Sequence, residues 1–259
     1  MITSRSNPLV KQVIALRQRK TRAETGLFLV EGIHPVGEVV EAGWDIESVL
    51  YAPDTLSSKF AQELISRVSA LSQPISPQLM ESLSDKENPQ GILAVVRRRK
   101  YDLADLASVR MGAAVISPQD PGNVGTILRT LDAVEGDALF LIDGGVDPFH
   151  PTSVRASMGT LFWTPIIQTS FVEFLNWRRA KEIRLIGTSA HAEMDYRKLQ
   201  IDDPCILLLG SEQKGLLPEQ IKACDVVVSL PMKGHASSLN LAVAAGILLY
   251  DLKGKAPGS

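Results

Sequence analysis

The stretch "CILLLGSEQKGLLPE", residues 205–219, joins an unbroken apolar run to a loop rich in glycine and charge. Successive apolar residues without alternation are typical of a strand that is buried on both faces of a parallel sheet. Similar runs occur at 113–118, 137–143, 183–189 and 225–231. Helical segments separate these runs, so the second half of the chain is predicted to be an α/β domain built on a parallel sheet.

The first hundred residues also alternate strand and helix. Asn7 followed by Pro8 predicts a helix start, because asparagine caps a helix and proline suits its first position. Strands are predicted at 26–32, 46–53 and 91–99, with helices between them. We therefore expect a compact α/β domain, which is smaller than the second one. The predicted bounds are 1–100 for this domain, 101–110 for a linker and 111–259 for the second domain.

The composition is that of a globular protein, with 45% hydrophobic and 22% charged residues among 259. No apolar run approaches bilayer length, and "MITSRSNPLVKQ" lacks the apolar segment of a signal peptide, so we expect a cytoplasmic protein without membrane contact. Cys205 and Cys224 have no cysteine or histidine at metal-ligand spacing. They are expected to be small buried residues, and no metal site is predicted.

Positive charge is concentrated at the start of the chain, although the net charge is −2. Six cations precede Glu24, the first acid: Arg5, Lys11, Arg17, Arg19, Lys20 and Arg22. Clustered cations suit contacts with nucleic-acid phosphates. A solvated helix face is the other interpretation, and charge alone favours it because the whole chain is not basic.

Polar loops follow the predicted strands of the second half. They are "QDPGNVGTILRT" (119–130), "AHAEMD" (190–195), "EQKGLLPE" (212–219) and "MKGHASSLN" (232–240). In open parallel sheets, ligands bind beyond the carboxyl ends of the strands, where such loops meet. The sequence therefore predicts a binding site at this edge of the sheet.

The first of these loops leads into a helix. If the helix begins near Asn123, then Val124, Ile127 and Leu131 share one face and Arg129 points away from it. Arg129 is either an ordinary solvated arginine or is directed at a partner subunit or an RNA phosphate, which a guanidinium fork suits. Asn123 is expected to cap the helix, whether or not it also has a catalytic role.

Two other loops carry polar residues with two interpretations each. Glu212 is either a solvated loop acid or a residue that positions a substrate. Ser237 or Ser238 is expected to cap the last helix, with Asn240 in its first turn. Four histidines are scattered along the chain and indicate no Ser–His–Asp site: His34, His150, His191 and His235.

Three stretches resemble consecutive motifs of the SpoU/TrmH family of RNA 2′-O-ribose methyltransferases, in the SPOUT superfamily. They are "PQDPGNVGTILRT", "LLLGSEQKGLLPE" and "LPMKGHASSLNLAVAAGILLYDL". The segment "VDPFHPTSVRASMGTLFWTPI" is similar to the one that follows the first motif in that family. The N-terminal stretches "SRSNPLVKQVIAL", "GLFLVEGIHPVGEVVEAG" and "PQGILAVV" resemble the family's RNA-binding domain. The resemblance covers nearly the whole chain; one departure is "AVEG" (133–136), where many relatives have Ala-Phe-Gly.

The resemblance implies a C-terminal trefoil knot, S-adenosylmethionine bound among the knotted loops, and a homodimer packed through this region. It implies cofactor contacts at Thr188, Gly210, Leu230 and Leu239. The residues that it places around the reacting centre are Asn123, Arg129, Glu212, Ser238 and Asn240. The basic residues from Arg5 to Arg22 then become the expected RNA contacts of the first domain.

The implied activity is methyl transfer to a ribose 2′-hydroxyl of rRNA or tRNA. A 2′-hydroxyl must lose its proton as it attacks the methyl group, so the site needs an aligned approach and a proton path. Arg129 would either accept this proton or orient the ribose and phosphate, since a guanidinium normally stays protonated. The alternative is an inactive RNA-binding protein of the same fold. A nucleotide-dependent enzyme is disfavoured, because no G-x-G-x-x-G or Walker sequence follows a strand.

Overall fold

The computed structural model describes residues 1–84, 88–201 and 204–255. The chain divides into two compact units. The N-terminal unit comprises Met1–Arg99 and Phe149–Phe162, and the C-terminal unit comprises Lys100–Pro148 and Trp163–Ser259.

The N-terminal unit is an α/β fold around a four-stranded sheet. Its first five helices are α1 (Pro8–Ala15), α2 (Arg19–Thr25), α3 (Ile33–Glu41), α4 (Lys59–Arg67) and α5 (Pro77–Leu83). Its strands are β1 (Leu27–Glu31), β2 (Ile46–Tyr51), β3 (Ser72–Pro74) and β4 (Ile92–Arg97), in the spatial order β1-β4-β2-β3. β4 is antiparallel to both neighbours, and β3 is parallel to β2. The Asn7 side chain accepts a hydrogen bond from the Leu9 amide, which confirms the predicted start of α1.

The remaining elements follow in chain order. The strands are β5 (Met111–Ile116), β6 (Ala138–Ile142), β7 (Ile166–Thr169), β8 (Arg184–Thr188), β9 (Met194–Asp195), β10 (Cys205–Leu209) and β11 (Val226–Ser229). The helices are α6 (Pro121–Ala133), α7 (Pro151–Ala156), α8 (Phe171–Ala180), α9 (Pro218–Ala223) and α10 (Leu241–Lys255).

The C-terminal unit contains a seven-stranded sheet in the order β7-β6-β5-β10-β8-β11-β9, and every pair of neighbours is parallel. β5, β6 and β10 are buried along their whole length, as expected for strands covered on both faces. The predicted α/β class and parallel sheet are therefore confirmed. The trefoil knot stays a prediction, because strand order alone does not define how the chain threads.

The segment Phe149–Phe162 belongs to the N-terminal unit, whereas the sequence bounds assigned it to the second domain. The ring centroid of Phe149 lies 4.8 Å from that of Phe28, and Phe162 meets Trp44 edge-on at 5.3 Å. The Trp44 indole N–H donates to the Phe162 carbonyl at 2.9 Å. Aromatic burial thus ties this segment to the first unit. Sequence order did not indicate this, because the partners lie more than a hundred residues apart.

Candidate active site

The first motif begins helix α6, whose start lies two residues before the predicted one. The Asp120 side chain caps the helix by accepting from the Gly122 amide at 2.7 Å, and Pro121 occupies the first helical position. The expectation that Asn123 caps this helix is therefore wrong. Asn123 lies inside the first turn with only 7% of its surface exposed.

Glu212, from the loop after β10, binds the start of α6. Its carboxylate accepts the backbone amides of Gln119 at 3.2 Å and Asp120 at 3.4 Å. It also accepts the side-chain amide of Asn123 at 3.3 Å. A carboxylate only accepts hydrogen bonds, so three converging donors match it. Glu212 therefore joins the loop of the second motif to that of the first.

Asn240 joins the third motif to the same cluster. Its Nδ2 donates to Asn123 Oδ1 at 3.0 Å. Its Oδ1 accepts the backbone amides of Ala242 at 2.9 Å and Val243 at 3.3 Å, so Asn240 is the cap of α10. The prediction of a serine cap at Ser237 or Ser238 is wrong. Both serines are exposed in the preceding loop.

The result is a polar chain, Glu212–Asn123–Asn240, defined here by its two side-chain hydrogen bonds. The two partners fix the orientation of the Asn123 amide, because only its NH₂ group can donate to the carboxylate. The polar chain holds the first turns of α6 and α10 and the loop after β10 in one arrangement.

The expected cofactor residues lie at the carboxyl ends of three adjacent strands. Thr188 ends β8, Gly210 follows β10, and Leu230 follows β11. A Cβ at Gly210 would lie 2.0 Å from the carbonyl carbon of Gly215, so only glycine allows the loop to fold back there. Leu239 lies at the other end of the loop that follows β11 and is partly exposed. The tertiary structure therefore brings Thr188, Gly210 and Leu230 to one rim of the sheet.

Arg129 stands apart from the polar chain. It is exposed on α6, six residues beyond Asn123. That separation corresponds to about 9 Å along the helix axis and about 240° around it. Arg129 is thus available to a molecule that approaches α6 from outside.

The predicted RNA-contacting cations of the N-terminal unit differ in exposure. Arg17 is half-buried, and its guanidinium donates to the Leu83 carbonyl at 2.8 Å. Arg5, Lys11, Arg19 and Lys20 are exposed on α1, α2 or the chain start. Arg22 is only 1% exposed, and its guanidinium donates to the carbonyls of Leu16 and Arg17 at 2.9 and 2.8 Å. The prediction of an RNA contact is wrong for Arg22, because its donors hold the turn between α1 and α2.

Neither cysteine is suited to act as a nucleophile. Burial raises the pKa of both Cys205 and Cys224 to about 11, so both remain protonated thiols at neutral pH. Among the described residues, no three His, Cys, Asp or Glu side chains come together to hold a metal ion. Within the same ranges, no helix has the length and apolar character needed to cross a membrane.

The sequence did not reveal that backbone amides take part in the site. The backbone amides of Gln119 and Asp120 bind Glu212. Any residue except proline has such an amide, so the identities of residues 119 and 120 do not predict this contact. The position of Glu212 between two glycines was the available sign that its loop turns sharply.

A parallel α/β sheet whose carboxyl-end loops carry these three motifs defines the class that the resemblance predicted, an RNA methyltransferase. The model of the SpoU rRNA Methylase family matches residues 111–250, more than half of the chain. The model of the MRM3-like substrate binding domain matches residues 7–94. The chain belongs to the SpoU rRNA Methylase family, and the family prediction is confirmed.

Similar proteins match along nearly the whole chain. The 23S rRNA (uridine(2479)-2'-O)-methyltransferase of Streptomyces viridochromogenes is 36% identical, over 96% of this chain and 90% of its own. The 23S rRNA (guanosine(2553)-2'-O)-methyltransferase RlmP of Bacillus subtilis is 30% identical, over 98% and 99%. The AdoMet-bound rRNA methyltransferase from Sinorhizobium meliloti superposes with a TM-score of 0.89 at 32% identity, covering 98% of this chain and 97% of its own.

Proposed function

We propose that this chain transfers the methyl group of S-adenosylmethionine to a ribose 2′-hydroxyl in large-subunit ribosomal RNA. The reaction class and cofactor follow from its family, its similarity to 23S rRNA 2′-O-methyltransferases and its AdoMet-bound neighbour, as the motifs predicted. The observation that carries the site assignment is the polar chain, which links the three family motifs at one edge of the sheet. The alternative of an inactive RNA-binding protein is disfavoured, because relatives matched over nearly their whole length are enzymes.

The residues at the strand ends fit S-adenosylmethionine. Leu230 and Leu239 offer apolar surface to an adenine ring, while the loops after β8, β10 and β11 present backbone groups at the sheet edge. No side chain fits at position 210, so Gly210 keeps the loop after β10 folded close to that edge. When bound, the cofactor supplies an activated methyl group on a sulfonium.

The polar chain positions the reacting groups. Asn123 and Asn240 are neutral hydrogen-bonding groups held in fixed orientations, and Glu212 anchors Asn123 and the start of α6. Ser238, exposed two residues before Asn240, is the proposed hydrogen-bonding contact with the ribose. Such alignment lowers the entropic cost of bringing the 2′-oxygen in line with the methyl group.

Arg129 acts on the RNA rather than on the polar chain. Its exposure on α6 supports a contact with the phosphate beside the target ribose. A guanidinium can bind a phosphate through two parallel hydrogen bonds. There it orients the ribose and stabilises the 2′-oxygen as its proton passes to the adjoining RNA phosphate or to solvent water. Because Arg129 is exposed, it can also contact RNA that is bound in the site of a second subunit.

A homodimer is supported by the surface of α10. Ala245, Leu248 and Leu249 are buried, but the opposite side exposes an apolar stripe of Val243, Ile247 and Tyr250, at 51%, 38% and 60%. These three residues are spaced four and three apart, so they form one continuous face. A face of this kind on the terminal helix suits a second copy of the chain.

The N-terminal unit supplies affinity for RNA. Lys11 and Arg19 are exposed, and Arg19 with Lys20 opens α2, where the helix dipole disfavours cations. That cost is offset when phosphates approach. A cytoplasmic location agrees with a ribosomal substrate and with two free, unpaired cysteines.

The test is methyl transfer from tritiated S-adenosylmethionine to ribosomal RNA from cells that lack the gene, followed by mapping of the 2′-O-methyl site. We expect one modified ribose in the large-subunit RNA. Cofactor binding without transfer to any ribosomal RNA would contradict the proposal. The two relatives above modify a uridine and a guanosine respectively, so mapping is also what identifies the nucleotide.

A further inference from the structure

Two residues at the carboxyl ends of β5 and β6 adopt a backbone conformation that is uncommon outside glycine. Ser117 directly follows β5 with a φ of 41°, and Asp143 directly follows β6 with a φ of 56°. Such positive values cost free energy, persist only where surrounding contacts impose them, and cluster at functional sites. Ser117 lies two residues before Gln119, whose amide binds Glu212. The strained backbone therefore lies directly before the contact between the first motif and the polar chain.

The loop after β6 holds Ser117 in this conformation. The Ser117 amide donates to the Ile142 carbonyl at 2.8 Å, and its hydroxyl donates to the Asp143 carbonyl at 3.0 Å. The carbonyl of the next residue, Pro118, accepts the Val146 amide at 2.9 Å. Proline has no amide proton, so this carbonyl is its only backbone group that forms hydrogen bonds. Contacts from residues 142–146 thus fix the path of the chain from β5 into the first motif.

Asp143 connects the same loop to the neighbouring strand and helix. Its amide donates at 3.0 Å to the carbonyl of Thr169, the last residue of β7. Its Oδ1 accepts the amide of Phe171, the first residue of α8, at 2.9 Å. Aspartate tolerates positive φ better than most residues. A shift of this loop would therefore break hydrogen bonds to three neighbouring elements at once.

Gly145 brings the loop into direct contact with Pro118. A Cβ at Gly145 would lie 2.5 Å from the Pro118 carbonyl oxygen and 2.8 Å from its nitrogen, so a side chain there would displace Pro118. Its neighbour Gly144 also has a positive φ, 81° against 107° for Gly145. Among the described residues, however, a Cβ at Gly144 would meet no atom within 4 Å. The two glycines thus share a backbone requirement and differ in what surrounds them.

We propose that Ser117, Asp143 and Gly145 are positioning residues for the methyl-transfer reaction. They fix the backbone that leads from β5 to the two amides bound by Glu212. Glu212 in turn accepts the side-chain amide of Asn123, so the loop after β6 sets the geometry of the polar chain from outside it. A displacement of about 1 Å is enough to slow a reaction about a hundredfold. The inference rests on the proposed function, because it takes the polar chain as the site of methyl transfer.

Two alanine variants of this loop form a matched pair. Gly144→Ala and Gly145→Ala each place a side chain at positive φ, so both should lower the melting temperature. Only Gly145→Ala displaces Pro118, and its single-turnover rate of methyl transfer should fall about tenfold or more. The rate of Gly144→Ala should stay within about twofold of the wild type, because its methyl group meets open space. The Kd of both variants for S-adenosylmethionine and for ribosomal RNA should change less than about twofold, since the loss falls on alignment and not on binding.

Ser117→Ala removes one hydroxyl group and serves as the second variant if Gly145→Ala does not fold. Its single-turnover rate should fall about three- to tenfold, as expected for one lost hydrogen bond. In the Glu212→Gln background, either substitution should lower the rate by less than about twofold further, because both act through the contact with Glu212. An undiminished effect in that background, a wild-type rate in both variants, or an equal loss in Gly144→Ala and Gly145→Ala would overturn the proposal.

Hydrogen exchange separates this inference from the proposed function. Measured by mass spectrometry, the peptide 117–124 should exchange faster in Gly145→Ala than in Gly144→Ala or the wild type, because the amides of Gln119 and Asp120 lose their acceptor. If the wild type methylates ribosomal RNA but the two variants match in exchange and in rate, only the positioning proposal fails. If the wild type methylates no ribosomal RNA, the proposed function fails, whatever the exchange shows.

Discussion

Asn240 Nδ2 donates a hydrogen bond of 3.0 Å to Asn123 Oδ1, although 117 residues separate the two along the chain. The same Asn240 caps α10 through its Oδ1, so one side chain has a structural and a site-forming contact. Asn123 in turn donates to Glu212.

The two contacts of Asn240 can be separated by substitution. Asn240→Asp keeps a good helix cap but loses the donor to Asn123, so thermal stability should change little while kcat falls about tenfold or more. Asn240→Ala also loses the cap, at a cost of about 1 kcal/mol of unfolding free energy. Thermal melts and single-turnover methyl transfer measure both. A fully active Asn240→Asp enzyme would remove this hydrogen bond from the site.

Glu212→Gln tests the anchor of the polar chain. A glutamine amide has one acceptor oxygen in place of two, so it cannot receive the amides of Gln119 and Asp120 together with Asn123. We expect a loss in kcat of about a hundredfold, with RNA affinity unchanged. Glu219→Gln, an exposed acid in α9, is the matched control and should stay active.

Arg129→Ala should abolish methyl transfer and leave the affinity for S-adenosylmethionine nearly intact, because Arg129 is exposed on α6 and is not one of the strand-end residues that are proposed to hold the cofactor. Calorimetry with the cofactor and the tritium assay supply the two measurements. Arg179→Ala, an exposed arginine on α8, serves as the control. An active Arg129→Ala enzyme would show that Arg129 is not needed for the reaction.

The apolar stripe of α10 should hold two copies together. Ile247→Glu places a charge in the middle of the stripe, so we expect a dimer to become a monomer in light scattering. Truncation before α10 should remove dimerisation and cofactor binding together. A charge at Gly254, near the exposed end of the helix, is the control. A wild-type protein that is monomeric at micromolar concentration would refute the dimer.

Lys11 and Arg22 should behave in opposite ways despite their closeness in sequence. Lys11→Ala removes an exposed cation, so it should lower RNA affinity and flatten its dependence on salt while the melting temperature stays constant. Arg22→Ala leaves the Leu16 and Arg17 carbonyls without their buried donor, so it should cost about 3 kcal/mol of unfolding free energy. Equal effects of both variants on RNA binding alone would contradict this division.

Much of the fold was readable from local pattern. The long apolar strands of the C-terminal unit and the capped start of α1 were predicted, because burial and capping leave periodic or positional signals. The short strands β3, β7 and β9 were not, since two to four residues carry too little periodicity. The segment "AVEG" (133–136), where many relatives have Ala-Phe-Gly, takes part in an ion pair. Glu135 pairs with Lys253 at 2.6 Å, and this contact lowers the pKa of Glu135.

By itself, the sequence determined the α/β class, the three motif loops and the residue types of the candidate site, because each depends on neighbours within about a dozen positions. Only the tertiary structure decided that Asn240 meets Asn123 and that Arg22 is buried. These contacts arise when distant segments bury apolar surface together, as Phe149 and Phe162 do with Phe28 and Trp44. Burial of that kind depends on the packed chain as a whole, and no local pattern encodes it.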